Sequence, residues 1–117
     1  MQSFEIKTVE LDGIPVFVIK GYFEEKAGEK LAQEADRYLQ QGRIILIIDF
    51  GECLVINSLG VASMLDLTLR VVDDFKGRVF FSRLDQLKTS VLKMAGAIPL
   101  AEPCASNEDA LRRARER

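Results

Sequence analysis

The run Arg43-Ile-Ile-Leu-Ile-Ile-Asp49 constrains this chain more than any other segment. Its apolar residues follow one another without the polar alternation of a half-exposed strand, so both faces of the strand must be covered. Such a strand belongs in the middle of a sheet, typically parallel to its neighbours, with helices on either side. The flanking segments supply these partners. Phe4, Ile6 and Val9 open a strand that Asp12-Gly13 turns into a second, Ile14 to Lys20, closed by Gly21. Ala27, Leu31, Ala35, Tyr38 and Leu39 recur at helical spacing within a helix from Ala27 to Gln41, with Gly42 as its stop. A long helix is predicted from Ser58 to Phe75, ending near Lys76-Gly77, and a short buried strand from Val79 to Ser82. Leu84 to Ala95 is a further helix, with Leu84, Leu87, Val91, Leu92 and Met94 inward or nearly so and Gly96 as its stop. Ala97 to Leu100 is read as a last short strand. Asn107 to Glu116 closes as a helix with Asn107 at its N-cap. This order predicts an α/β fold, a mixed four- to five-stranded sheet opened by a β-hairpin, with about four helices. A length of 117 residues with 48% hydrophobic residues predicts one domain over residues 1–117.

Composition removes several kinds of chemistry. The chain has no histidine, which excludes Ser-His-Asp and Cys-His relays, histidine metal ligands and an imidazole switch. Cys53 and Cys104 are too few for a zinc site or a disulfide framework and are read as free thiols in a reducing cytosol. A net charge of −2 gives no global basic field, so nucleic acid is not the expected partner. The N-terminal MQSFEIKTVEL lacks a signal layout and no apolar run reaches the length of a membrane span, so a soluble cytoplasmic protein without membrane insertion is expected. Arg112, Arg113, Arg115 and Arg117 read as complements to the dipole of a solvated terminal helix.

Catalytic constellations are also missing. Asp49 at the end of a central strand invites comparison with phospho-aspartate receivers, but neither the acidic pair nor the lysine such sites require is present. Asp49 is read instead as fixing the following loop through backbone hydrogen bonds. Neither GxGxxG nor GxxxxGK[ST] occurs. Glu24-Glu25 and Asp73-Asp74 diverge by about 100° on a helix and read as solvated faces. No catalytic residue, metal or cofactor is expected, and the chain is read as a non-enzyme.

What remains is the junction Cys53-Leu-Val-Ile-Asn-Ser-Leu-Gly-Val-Ala-Ser63. Read as a strand-to-helix loop it should be polar, yet Leu54, Val55 and Ile56 directly precede Asn57-Ser58. The helix that follows is apolar nearly all round, its polar residues Ser63, Asp66, Arg70, Asp73 and Asp74 forming one narrow stripe. Such a helix is covered deeply by its own domain or partly by another protein. Either Ser58 or Asn57 can serve as the N-cap. A phosphoryl group on Ser58 would meet unpaired N–H groups and the positive end of the helix dipole.

These residues resemble the signature of STAS domains, the bacterial anti-sigma factor antagonists. Asp49-Phe50-Gly51 followed by Val55-Ile56-Asn57-Ser58-Leu59-Gly60 matches a strand ending in Asp and an apolar approach to D-S-[ST]-G at a helix start. Val16-Phe-Val-Ile-Lys-Gly21-Tyr-Phe, Gly77-Arg-Val-Phe-Phe, Leu92-Lys-Met-Ala-Gly96 and Ser106-Asn-Glu-Asp-Ala-Leu111 extend the likeness over nearly the whole chain. The resemblance implies a single-domain STAS-like fold and a partner-switching role. The unphosphorylated domain binds an anti-sigma factor that is also a serine kinase, phosphorylation ends that binding, and a serine phosphatase restores it. By position the acceptor is Ser58, and the implied surface comprises Gly21, Tyr22, Phe23, Glu24, Ile56, Asn57, Ser58, Leu59, Gly60 and Ser63. Two positions depart from the signature: its Asp is Asn57 and its second hydroxyl is Leu59.

Those departures favour a second reading, a STAS-type subunit bound without phosphorylation switching to a transporter ATPase or a signalling complex. The intact spacing of Ser58 and Gly60 favours the first. A small-ligand or nucleotide sensor would need a concave polar site that these residues do not spell out. The apolar helix would serve a homodimer as readily as a heterocomplex.

Overall fold

The apolar run lies where its composition demands. In the computed structural model, which describes residues 3–116, β3 (Ile45–Ile56) is the middle strand of five. β2 (Ile14–Phe23) and β4 (Arg78–Ser82) flank it in parallel. β1 (Phe4–Leu11) pairs antiparallel with β2, and β5 (Glu102–Cys104) extends the other side parallel to β4. The helices are α1 (Glu25–Leu39), α2 (Ser58–Leu69), α3 (Gln86–Ala95) and α4 (Asn107–Ala114). A π-helical turn, Arg70–Asp74, continues α2. This is the expected α/β arrangement with a mixed sheet and four helices.

Alternate residues of β3 enter two cores. Leu46 and Ile48 pack with Phe17, Ile19 and Phe81 beneath Leu31 of α1, Met64 of α2 and Leu92 of α3. Ile47 joins Val16 and Phe80 beneath Ala110 of α4. Parallel neighbours on both sides and helices on both faces explain why the strand has no polar register. Among the described residues no helix is long and apolar enough to cross a membrane.

Several expectations are corrected. Ala97–Leu100 is not a strand. The N–H groups of Ala97 and Ile98 close the end of α3 on Leu92 O, and Ala101 N–H donates to Ala97 O, which uses the backbone in a turn. The edge strand comes later, and Pro103 sits within it, as an edge position permits. Gly21 does not close β2, and Gly51 to Ile56 is not a loop. Both strands run on together, pairing Gly21 with Cys53 and Phe23 with Ile56, with register shifts beside Gly21. At Gly21 φ is +81°, and a Cβ there would press into Ser3 O, so glycine permits this irregularity.

Leu84 just before α3 and Val91 and Leu92 on it face inward, but Leu87 and Met94 are 74% and 87% exposed. The inward position beside Leu92 is taken by Lys88, whose stem is buried while its ammonium reaches Asp85 Oδ2 at 2.6 Å. Ser106, not Asn107, caps α4 by accepting from Asp109 N–H at 3.0 Å. The terminal arginines do more than complement a dipole. Arg113 donates to Pro103 O at 3.2 Å and Arg115 pairs with Asp12, so they tie α4 to β5 and to the first turn. Arg117 lies outside the described residues.

Asn107, released from capping, helps to hold Asp49. This carboxylate is 1% exposed and accepts from Arg83 Nε and Nη2 at 2.9 Å each, Asn107 Nδ2 at 2.9 Å and Gly51 N–H at 2.8 Å. The backbone bond to Gly51 is the expected one, made inside a strand. Burial pushes the Asp49 carboxyl up, but Arg83, Gly51 and Asn107 outweigh it and hold the group below its ordinary range. A carboxyl lowered in the folded state contributes stability in full above its ordinary value of 3.8 and loses it as pH falls through the lowered folded value. Acid unfolding followed by circular dichroism is therefore expected to show stability falling below about pH 4. Asp49→Asn should lose about 2 kcal/mol at neutral pH and flatten that acid limb.

Candidate docking site at the junction of β3 and α2

β4 ends at Ser82, opposite Asp49, whereas β2 and β3 continue to Phe23 and Ile56. Beyond β4 the sheet is thus a ribbon of β3 and β2, with β1 alongside β2 as far as Gly21. The edge of β3 that faced β4 is left uncovered, which explains the exposure of apolar residues inside a strand. Leu54 is 68% exposed and Val55 45%. Only Asn57 separates β3 from α2, so the apolar approach leads directly into a helix start.

Asn57 is the N-cap. Its N–H donates to Phe23 O at 3.3 Å, and its Oδ1 accepts from Gly60 N–H at 2.8 Å. Its amide Nδ2 lies 3.5 Å from Glu24 Oε2, which links the start of α2 to the end of β2. Because Asn57 caps, Ser58 is left in the first helical position, exposed and with no hydrogen bond to its hydroxyl among the described residues. The remaining first-turn donors, Ser58 N–H and Leu59 N–H, face the same end of the helix. Leu59 follows at 52% exposure. Asn57→Ala is expected to cost about 1 kcal/mol in urea unfolding through loss of this cap, with m unchanged.

The structure brings most of the residues implied by the resemblance together. Tyr22, Glu24, Asn57 and Leu59 line one hollow of about 310 Å³, together with Phe4, Glu25, Lys26 and Ala27. Gly21 and Ile56 are half-buried within the ribbon. Phe23 and Gly60 are buried and shape the site from beneath: a Cβ on Gly60 would press into Phe23 O and lie 3.0 Å from Phe23 Cδ2. Ser63 stands apart, on the flank of α2 that faces α1, against Gly28. Phe4, Leu54 and Val55 are surface residues outside the set that the resemblance implies, although Val55 belongs to the motif itself. The apolar run before Asn57 signals the last two. Phe4 has no sequence signal, because its position depends on pairing with Gly21.

Nothing at this junction resembles a reactive centre. Burial pushes the Cys53 thiol up, which disfavours the nucleophilic thiolate, and Cys53 and Cys104 are both free. Among the described residues no group of three or more acidic or thiol ligands is placed to hold a metal. The arrangement offers an exposed alcohol at a helix N-terminus, bordered by apolar side chains, which suits recognition and modification.

The whole arrangement of five strands and four helices is the fold of anti-sigma factor antagonists, the STAS fold. Among solved structures, the chain is similar to an anti-sigma factor antagonist from Mycobacterium paratuberculosis, with a TM-score of 0.82 at 16% identity over 97% of this chain and 96% of that one. It is similar to the anti-sigma factor antagonist SpoIIAA in its unphosphorylated form, with a TM-score of 0.74 at 20% identity over 98% of this chain and 100% of that one. The Bacillus cell fate determinant SpoIIAA in its phosphorylated form matches with a TM-score of 0.71 at 22% identity over 97% of this chain and 100% of that one. No family model matches the chain, and no curated protein matches it in sequence.

Proposed function

We propose that this chain is an anti-sigma factor antagonist, a cytoplasmic regulator of bacterial transcription that binds a serine-kinase anti-sigma factor through the β3–α2 junction. Phosphorylation of Ser58 is the switch that ends binding. The observation that carries this reading is the free, exposed Ser58 hydroxyl at the start of a helix already capped by Asn57, at a junction that also exposes Leu54, Val55 and Leu59. A fold shared with SpoIIAA, described in both unphosphorylated and phosphorylated forms, supports it.

The chemistry is balanced. Ser58 Oγ attacks the γ-phosphorus of ATP, the Oγ–P bond forms, the bond to the β-phosphate oxygen breaks, and ADP leaves. The hydroxyl proton passes to a base of the kinase. A serine phosphatase reverses the modification by hydrolysis, returning the hydroxyl and releasing phosphate. The phosphoserine carries about −1.5 to −2 charges near pH 7. At an apolar contact its desolvation opposes binding, whereas in the free domain it faces the unpaired N–H groups and positive dipole of α2.

Incubation of the chain with a serine-kinase anti-sigma factor and ATP, followed by phosphosite mapping by mass spectrometry, tests the reading. It predicts label on Ser58, none in Ser58→Ala, and tight binding by the unlabelled chain. No label on Ser58, with binding indifferent to Ser58→Asp, would leave the second reading: a subunit bound without a switch to a transporter ATPase or signalling complex. The exposure of Leu59, which enlarges the apolar surface where the signature has a hydroxyl, favours that alternative.

A further inference from the structure

A separate trough of about 410 Å³ runs between α1 and α2, on the flank of α2 occupied by Ser63. At one end the helices touch, with the Ser63 side chain seated against the Cα of Gly28. At the other end Arg70 of the π-helical turn pairs with Asp36 of α1 and closes the gap. Between these stops, Ala32 and Leu67 supply apolar lining while Glu29 and Asp66 stand on opposite sides. Leu67 is buried, whereas Glu29, Ala32 and Asp66 are exposed. Arg70 is already engaged by Asp36, but neither Glu29 nor Asp66 forms a hydrogen bond or ion pair among the described residues. Seven helical steps lead from Ser63 to Arg70, a length of roughly 10 Å. That length suits one long side chain rather than a helix laid along the groove.

We propose that this trough is a docking site for an arginine or lysine side chain of a partner protein. The methylene stem lies on Leu67 and Ala32, and the cationic head sits between Asp66 and Glu29. A side chain with an apolar stem and a charged tip matches apolar lining bordered by two unpaired carboxylates. An anionic side chain would meet three carboxylates and one guanidinium already paired. A purely apolar one would leave the acidic rim without a partner. Leu59, Ser63 and Asp66 recur along one stripe of α2, so the trough lies on the same helix face as the junction, beyond the contact of Ser63 with Gly28. A protein seated on Leu59 therefore has this pocket within reach, whether or not Ser58 is phosphorylated.

The test is titration of the isotope-labelled chain with N-acetyl-arginine amide, read by amide chemical shifts, with N-acetyl-norleucine amide and spermidine as comparison probes. The arginine derivative is expected to shift the amides of Ala32, Ser63, Asp66 and Leu67 with a dissociation constant on the order of 10 mM. Norleucine should bind several-fold more weakly. The variant carrying Glu29→Gln and Asp66→Asn, both at exposed unpaired sites, should lose at least about threefold in affinity for arginine. It should keep its thermal unfolding temperature. Shifts scattered away from the trough, or equal binding by the double variant, would overturn the proposal. Spermidine binding more tightly than the arginine derivative would also overturn it, reassigning the trough to a free polyamine. None of these results depends on Ser58, so failure here is distinct from failure of the proposed function.

Discussion

Gly60→Val is expected to lower the stability of the chain by at least about 3 kcal/mol, a fall of roughly 10 °C or more in Tm. Gly60 lies in the first turn of α2, where the helix passes closest to the end of β2. An added Cβ would press into the carbonyl oxygen of Phe23 and lie 3.0 Å from both its carbonyl carbon and Cδ2. Two of these atoms are backbone, so no rotamer change removes the conflict. The same carbonyl accepts the Asn57 N–H, and moving the helix away from it breaks the bond that joins the cap to the sheet. Because helix propensity alone favours most residues over glycine, the loss isolates the close approach. Calorimetry of Gly60→Ala and Gly60→Val distinguishes the causes. If close approach governs, both variants are less stable and valine is the worse; if propensity governs, alanine is the more stable protein.

On the proposed function, Ser58→Asp is expected to weaken binding of an anti-sigma factor about a hundredfold, equivalent to about 3 kcal/mol, while leaving Tm unchanged or slightly raised. The two halves of this prediction come from the same geometry. In the free chain the new carboxylate stands at the N-terminus of α2, where negative charge is favoured. In the complex it must lose water against Leu54, Val55 and Leu59, where it has no partner. Ser58→Ala removes the acceptor without adding charge and should bind about as tightly as the unmodified chain. Surface plasmon resonance on the three proteins reads this directly. Equal loss in Ser58→Ala and Ser58→Asp would mean that the hydroxyl itself is a contact, and the charge argument would fail.

The sheet was legible wherever burial leaves a compositional mark. Ile45 to Ile48 could only be a covered central strand, and the spacing of Leu31, Ala35 and Leu39 could only serve a helix face. Two things were hidden. The continuation of β3 from Gly51 to Ile56 depends on β2 running alongside it, and that pairing is decided by φ at Gly21 and by Ser3 behind it. A segment with one paired edge mixes exposed and buried residues in no regular register, so it reads as a loop. The displacement of the last strand from Ala97–Leu100 to Glu102–Cys104 has a similar origin, because the helix end consumes the intervening N–H groups.

At the site, the motif pointed to Ser58 and its immediate neighbours, since these are contiguous in the chain. It did not decide between Asn57 and Ser58 as the cap. That choice rests on the contact of Asn57 N–H with Phe23 O, made across more than thirty positions of sequence. Nor did it separate Ser63 from the junction. The i, i+4 spacing from Leu59 places Ser63 on the same stripe of α2, but α1 occupies that level and turns the stripe into a trough. Helical periodicity points Leu87 and Met94 inward or nearly so because it does not register that a lysine stem can fill a buried position. Lys88 does so with Asp85 holding its charge.

The central claim is that a phosphate on Ser58 stands between the chain and its partner without disturbing the fold. Isothermal titration of a serine-kinase anti-sigma factor with the chain, unmodified and phosphorylated on Ser58, measures this most directly. The account predicts a dissociation constant at least about a hundredfold larger for the phosphorylated chain, with native amide chemical shifts retained outside the first turn of α2 and the overhanging ribbon. Equal affinity of the two forms would contradict it.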